Sequence, residues 1–159
     1  MGPGAERRNR EKGASMKTIR QVLGAKGHTV FTIGPDATVY EALQQLAAHD
    51  VGALVVTEEG EVVGLVSERD CARKLVLLGR LTKDTPVREI MTKEVICVGS
   101  KQTADGCMAL MSEKRVRHLP VLENGQLAGM ISIGDVGKAI IEEHESTIEQ
   151  LELYIKGTR

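Results

Sequence analysis

The chain has 159 residues, of which 42% are hydrophobic and 27% charged, with a formal net charge of -1. This is the composition of a soluble globular protein with a core of its own, and it excludes the basic footprint of a nucleic-acid binder. One Phe, two Tyr and no Trp make the core aliphatic and leave base stacking on aromatic rings out of reach as a binding strategy.

Residues 1–15, MGPGAERRNREKGAS, are polar, glycine-rich and without an apolar period. They read as a flexible tail, native or left by expression, with Met16 as an alternative start. No apolar run reaches the length of a membrane span and no apolar h-region of a signal peptide is seen, so a cytoplasmic location is expected. Cys71, Cys97 and Cys107 are odd in number, avoid C-x-x-C spacing and have apolar neighbours, as reduced core cysteines do.

The ordered part opens on TIRQVL at 18–23 and a short apolar stretch, VFTI, which reads as a strand. Thr38 and Glu41 stand in capping-box spacing before an amphipathic helix whose apolar face is Ala42, Leu43, Leu46 and Ala47. ALVVT and VVGLVS, separated by EEGE, read as a hairpin, and a second helix is expected from Ser67.

After LLGRLTKDTP the pattern starts again. PVREIM at 86–91 resembles TIRQVL, VICV is the strand, and Thr103 caps a helix with Cys107, Met108, Leu110 and Met111 inward. LPVL and LAGMIS flank an Asn-Gly turn, and Ser132 begins the last helix. Shifted by 65 positions, residues 30–74 align without a gap to residues 95–139, with 11 identities. Among them are Glu58/Glu123, Gly64/Gly129, Ser67/Ser132 and Asp70/Asp135.

The chain is therefore two copies of one strand, helix, strand, strand, helix unit, spanning 16–80 and 81–145, and its class is α/β or α+β. Neither copy alone buries both faces of so small a sheet, so the two should pack together. Residues 146–159 extend the final helix, where Ile141, His144, Ile148, Leu151 and Ile155 form a seam that packs on its own domain or, because it outruns the repeat, more readily on a dimer partner.

Locally, the S-x-x-D of GLVSERD and GMISIGD is what a helix start wants, a serine cap with an acid in the first turn. A carboxylate so placed also suits the vicinal hydroxyls of a ribose. The basic run EKRVRHLPV, with Lys114, Arg115, Arg117 and His118, reads equally as a solvated helix end or as a phosphate contact. No phosphate loop, dinucleotide fingerprint, nucleophile elbow or zinc-protease motif is present, and the four histidines lack metal-ligand spacing, so neither catalysis nor a metal is expected.

VREIMTKEVICV, VRHLPVLENGQLAGMIS and the doubled G-h-h-S-x-x-D together resemble a tandem pair of cystathionine β-synthase domains, the Bateman module, over residues 17 to about 145. The resemblance implies two β-α-β-β-α repeats related by pseudo-twofold symmetry, with adenine nucleotides bound between them: AMP first, with ADP, ATP or NAD as variants. It implies Asp70 and Asp135 on ribose, with Ser67 and Ser132 beside them. Arg69, Arg117 and His118 would lie toward phosphate. The adenine would pack on Phe31 and Ala53 in one pocket and on Ile96 and His118 in the other. It further implies a homodimer that regulates an unidentified partner in trans, with a structural dimerisation module as the alternative and an enzyme of nucleotide metabolism as a third reading.

Overall fold

The computed structural model describes residues 17–157; the expected tail lies outside them. Helix α1 (Ile19–Lys26) is followed by β1 (Thr32–Ile33), α2 (Val39–His49), β2 (Ala53–Glu58) and β3 (Glu61–Ser67). Helix α3 covers residues 68–78 and contains a π turn at Cys71–Leu75. The second copy supplies β4 (Val98–Gly99), α4 (Ala104–Lys114), β5 (His118–Glu123), β6 (Gln126–Ser132) and α5 (Ile133–Gly157). Each copy makes a three-stranded sheet, in the orders β1-β2-β3 and β4-β5-β6, with one parallel and one antiparallel pairing. The two repeats of the expected unit are thus present, in a mixed α+β fold.

Local chemistry places the element ends. Thr38 accepts from the Glu41 amide while Glu41 reaches back to the Thr38 amide, completing the expected box. Thr103 accepts from Gly106, which has no side chain to reciprocate. Both hairpins turn through two residues at positive φ, Glu59 and Gly60 in one and Asn124 and Gly125 in the other, as a two-residue turn matched to strand twist requires.

Two expectations are corrected. VFTI pairs only through Thr32 and Ile33, and VICV only through Val98 with Gly99 beyond it, because the chain ahead of the ladder peels away: Val30 and Val95 line clefts. Ala47 faces solvent, since Val39, Ala42 and Leu46 already complete a three-and-four spacing and Ala47 lies one step past that stripe.

The lead-in segments are exchanged between copies. Ile19, Val22 and Leu23 of α1 pack into the core of the second copy with Leu119, Val121 and Ile131. Val87, Ile90 and Met91, their counterparts 68 positions on, pack into the first copy's core with Leu54, Val56 and Val66. The backbone repeats the exchange bond for bond: the Ile19 amide donates to the Gln102 carbonyl and the Val87 amide to the Ala37 carbonyl, each at 2.8 Å. Arg20 pairs with Glu123 and Arg88 with Glu58, which explains why this glutamate is repeated.

The same crossing explains the repeated glycine. A Cβ at Gly64 would come within 2.5 Å of Met91 Sδ, and one at Gly129 within 2.7 Å of Leu23 Cδ2. Burying these lead-in side chains is worth roughly 1.5–3 kcal/mol each, and a bare backbone opposite them is what lets them seat. Sequence bounds at 16–80 and 81–145 describe the repeat, whereas the packing units each borrow a segment from the other copy.

Candidate functional site: two clefts between the copies

Where β3 ends, Ser67 and Asp70 cap α3 reciprocally. The Ser67 amide and hydroxyl donate to Asp70 Oδ2 at 3.1 and 3.0 Å, and the Asp70 amide donates to Ser67 Oγ. Lys74, one turn on, lies 3.2 Å from Asp70 Oδ1 and donates to the Ile90 carbonyl. The capping reading of S-x-x-D is therefore correct, and the carboxylate still faces a cleft of about 550 Å³. Ser67, Arg69 and Asp70 form one wall; Ile96, Arg117 and His118 come from the second copy.

The second cleft, about 360 Å³, mirrors the first, with Ser132 and Asp135 facing Phe31 and Ala53 of the first copy. The Ser132 amide donates to Asp135 Oδ2 at 2.8 Å and the Asp135 amide to Ser132 Oγ at 3.1 Å. Here the lysine comes from α1: Lys26 Nζ donates to Asp135 Oδ2 at 2.6 Å and to the Met130 carbonyl at 2.7 Å. Burial pushes the Asp135 carboxyl up, but the Lys26 hydrogen bond and the Ser132 amide outweigh it and hold the group below the ordinary carboxylate range.

His118 lines both clefts, and so does Gly52, whose Cβ would fall 3.1 Å from the imidazole Nε2. Burial first, then the nearby charge of Lys26, lowers the His118 pKa, with Asp135 opposing. Phe31 stacks on His49 at 3.7 Å between ring centroids, so one of its faces is already covered.

The CBS domain family model matches residues 27–77 and 87–142. The chain belongs to the CBS domain family. This CBS pair is similar to the Arabidopsis thaliana protein named CBS domain-containing protein CBSX3, mitochondrial, with 38% identity over 94% of this chain and 77% of that one. It is 32% identical to CBS domain-containing protein YhcV of Bacillus subtilis, over 67% of this chain and 76% of that protein. Among solved structures, the CBS domain NE2398 is 50% identical with a TM-score of 0.77, covering 79% of this chain and 98% of its own. The CBS domain pair of MJ0100 shares the fold at 21% identity, with a TM-score of 0.71 over 80% of this chain and 98% of its own.

All ten expected site residues of the CBS pair line one cleft or the other: Ser67, Arg69, Asp70, Ile96 and Arg117 the first, Phe31, Ala53, Ser132 and Asp135 the second, and His118 both. Sequence reasoning omitted Lys26, Arg73 and Lys74. Arg73 and Lys74 follow Arg69 and Asp70 by one helical turn, a signal open to inspection. Lys26 had no local signal, because it reaches Asp135 only through the exchanged lead-in.

Burial, followed by the Asp70 charge, pushes the Cys71 thiol up to about 11, so it stays protonated at neutral pH. Burial also raises Cys97 and Cys107. Among the described residues no His, Cys, Asp and Glu group has the arrangement of a metal site, and no helix is long and apolar enough to cross a membrane.

Proposed function

We propose that this CBS pair is a non-catalytic regulatory module that binds an adenine nucleotide, AMP first with ADP, ATP or NAD as alternatives, in the clefts between its repeats. One observation carries this reading: each cleft sets a carboxylate at a helix start of one copy opposite an apolar wall of the other. A ligand held by both walls changes how the copies sit, and such a difference in affinity between two arrangements is what a switch needs. The fold supports it too, since the MJ0100 pair is described in complex with 5′-methylthioadenosine and S-adenosyl-L-methionine. Signalling then runs in trans to a partner protein in the cytoplasm.

The module works as a homodimer on this reading. Ile141 and Ile148 are 59% and 55% exposed on α5, and the seam continues through Leu151 and Ile155, whose side chains lie outside the described residues. A purely structural dimerisation module is the second reading, favoured by the complete use of both Ser and Asp pairs as helix caps.

Calorimetry with AMP, ATP and NAD separates the two. Asp70→Asn with Asp135→Asn keeps an acceptor for each capped serine amide while removing both charges. Loss of nucleotide binding by this folded variant supports the ligand sites, and unchanged binding overturns the ribose assignment.

A further inference from the structure

We propose that the two clefts sort adenine ligands by charge: the Asp70 cleft takes a nucleoside polyphosphate, and the Asp135 cleft takes a nucleoside that carries no phosphate. This rests on the reading of both clefts as adenine-ligand sites and replaces the single nucleotide, AMP, with a different class of adenine ligand in each.

The Asp70 cleft gathers four guanidinium groups from three places. Arg69 and Arg73 lie on α3, Arg115 sits at the left-handed end of α4, and Arg117 leads into β5. None of the four side chains forms a hydrogen bond or ion pair among the described residues, whereas Lys74 is committed to Asp70 and the Ile90 carbonyl. Arg69 and Arg73 stand four apart on one helix, where like charges repel. A polyanion between them and the arginines opposite relieves that repulsion, and the planar fork of guanidinium matches phosphate oxygens two at a time. Glu68 and Glu94 on the rim leave the lining with a positive balance.

Each of these positions changes in the second cleft. By the 65-residue shift, Arg69 becomes Gly134, Arg115 is matched by Asp50 and Arg117 by Gly52. Arg73 becomes Lys138, which is turned to Glu142. The cation that remains, Lys26, is held by Asp135 and the Met130 carbonyl, and Asp50 adds a second carboxylate to the lining. A phosphate entering there must break the Lys26 pair or lie against acids. An uncharged nucleoside can offer its ribose hydroxyls to the Asp135 and Asp50 carboxylates without breaking the Lys26 pair, with its base against Ala53 and the face of Phe31 away from His49.

The test is calorimetry of the full chain with adenosine, AMP, ADP and ATP. Affinity in the Asp70 cleft should rise with phosphate number, and ATP binding should weaken as salt rises from about 0.01 M to about 0.15 M. Arg117→Ala and, independently, the exposed Arg69→Ala should each weaken ATP on the order of ten-fold and leave adenosine unchanged. Asp135→Asn should abolish adenosine binding and spare ATP. Gly134→Arg, at a position where a Cβ meets nothing closer than Ser132 Oγ at 3.6 Å, should add a second ATP site without depending on a capping residue. Adenosine and ATP responding alike to every variant would overturn the sorting while the adenine sites stand. ATP binding without any adenosine binding overturns the assignment of the Asp135 cleft. If NAD fails to bind along with all four of these ligands, it is the proposed function itself that fails.

Discussion

In both clefts an aspartate bonds the amide of the serine three residues before it, and in both a lysine meets that aspartate, but the two lysines arrive by different routes. Lys74 comes from the next turn of the same helix, so the Asp70 cleft is assembled locally. Lys26 comes from α1, more than a hundred residues away in sequence, so the Asp135 carboxylate is also a tertiary contact that fastens the lead-in. The difference separates two kinds of constraint. Caps, turn glycines and exchanged lead-ins recur because the backbone plan needs them twice; cleft charges diverge because nothing in the packing demands that they match.

The largest effect should come from breaking the exchange. Ile90 is fully buried in the first copy's core although its sequence position assigns it to the second. Ile90→Ala should cost about 2–5 kcal/mol, read from urea midpoints. Native-state amide exchange should rise first in β2 and β3 and only later in β5 and β6. Ile19→Ala should show the reverse order, and early loss of β5 and β6 protection in Ile90→Ala would contradict the exchanged packing.

A smaller effect, roughly 1–3 kcal/mol by the usual cost of overpacking, is expected from a methyl at the repeated glycine. Gly64→Ala should cost more than Gly129→Ala. At Gly64 the new carbon also meets the Thr92 carbonyl at 3.1 Å, which is tied to the Leu65 amide, whereas at Gly129 its three nearest atoms all belong to the Leu23 side chain. Adding Leu23→Ala to Gly129→Ala should therefore show favourable coupling in a double-mutant cycle.

What could be read beforehand follows from how locally each feature is determined. Thr38, Ser67, Asn124 and the hairpin strands were legible because caps and turns are set by residues three or four apart. The family resemblance implied Phe31 and Ala53 in one pocket and Ile96 and His118 in the other; Phe31 and Ala53 line the Asp135 cleft, Ile96 the Asp70 cleft and His118 both. The exchange of lead-ins was not legible: TIRQVL and PVREIM show the same apolar spacing whichever core receives them. With the exchange hidden, Lys26 was hidden as well, and the repeated Gly64, Gly129, Glu58 and Glu123 looked like turn and surface residues when they are the seats of the crossing segments.

The smallest expected effect lies at His118, the wall common to both clefts. Its counterpart in the first copy is Ala53, so the shared wall carries one titratable group and not two. Burial, Lys26 and Arg117 lower the His118 pKa below 6.5, with Asp135 opposing. A histidine whose folded pKa is depressed is neutral by preference in the native state, so its contribution is fully present above the unfolded value near 6.5 and is lost as pH falls through the folded pKa. Asp135 has the same sign but acts further down, below its ordinary value of 3.8, because its own depressed pKa is the carboxylate case. The two declines begin at different points, near pH 6.5 and near pH 3.8, so denaturant titration across pH reads the onset of each. His118→Gln should flatten the decline that begins near pH 6.5 and leave the acid limb governed by Asp135 intact. A decline unchanged in the variant would place the proton uptake elsewhere and remove His118 from the electrostatic difference between the clefts.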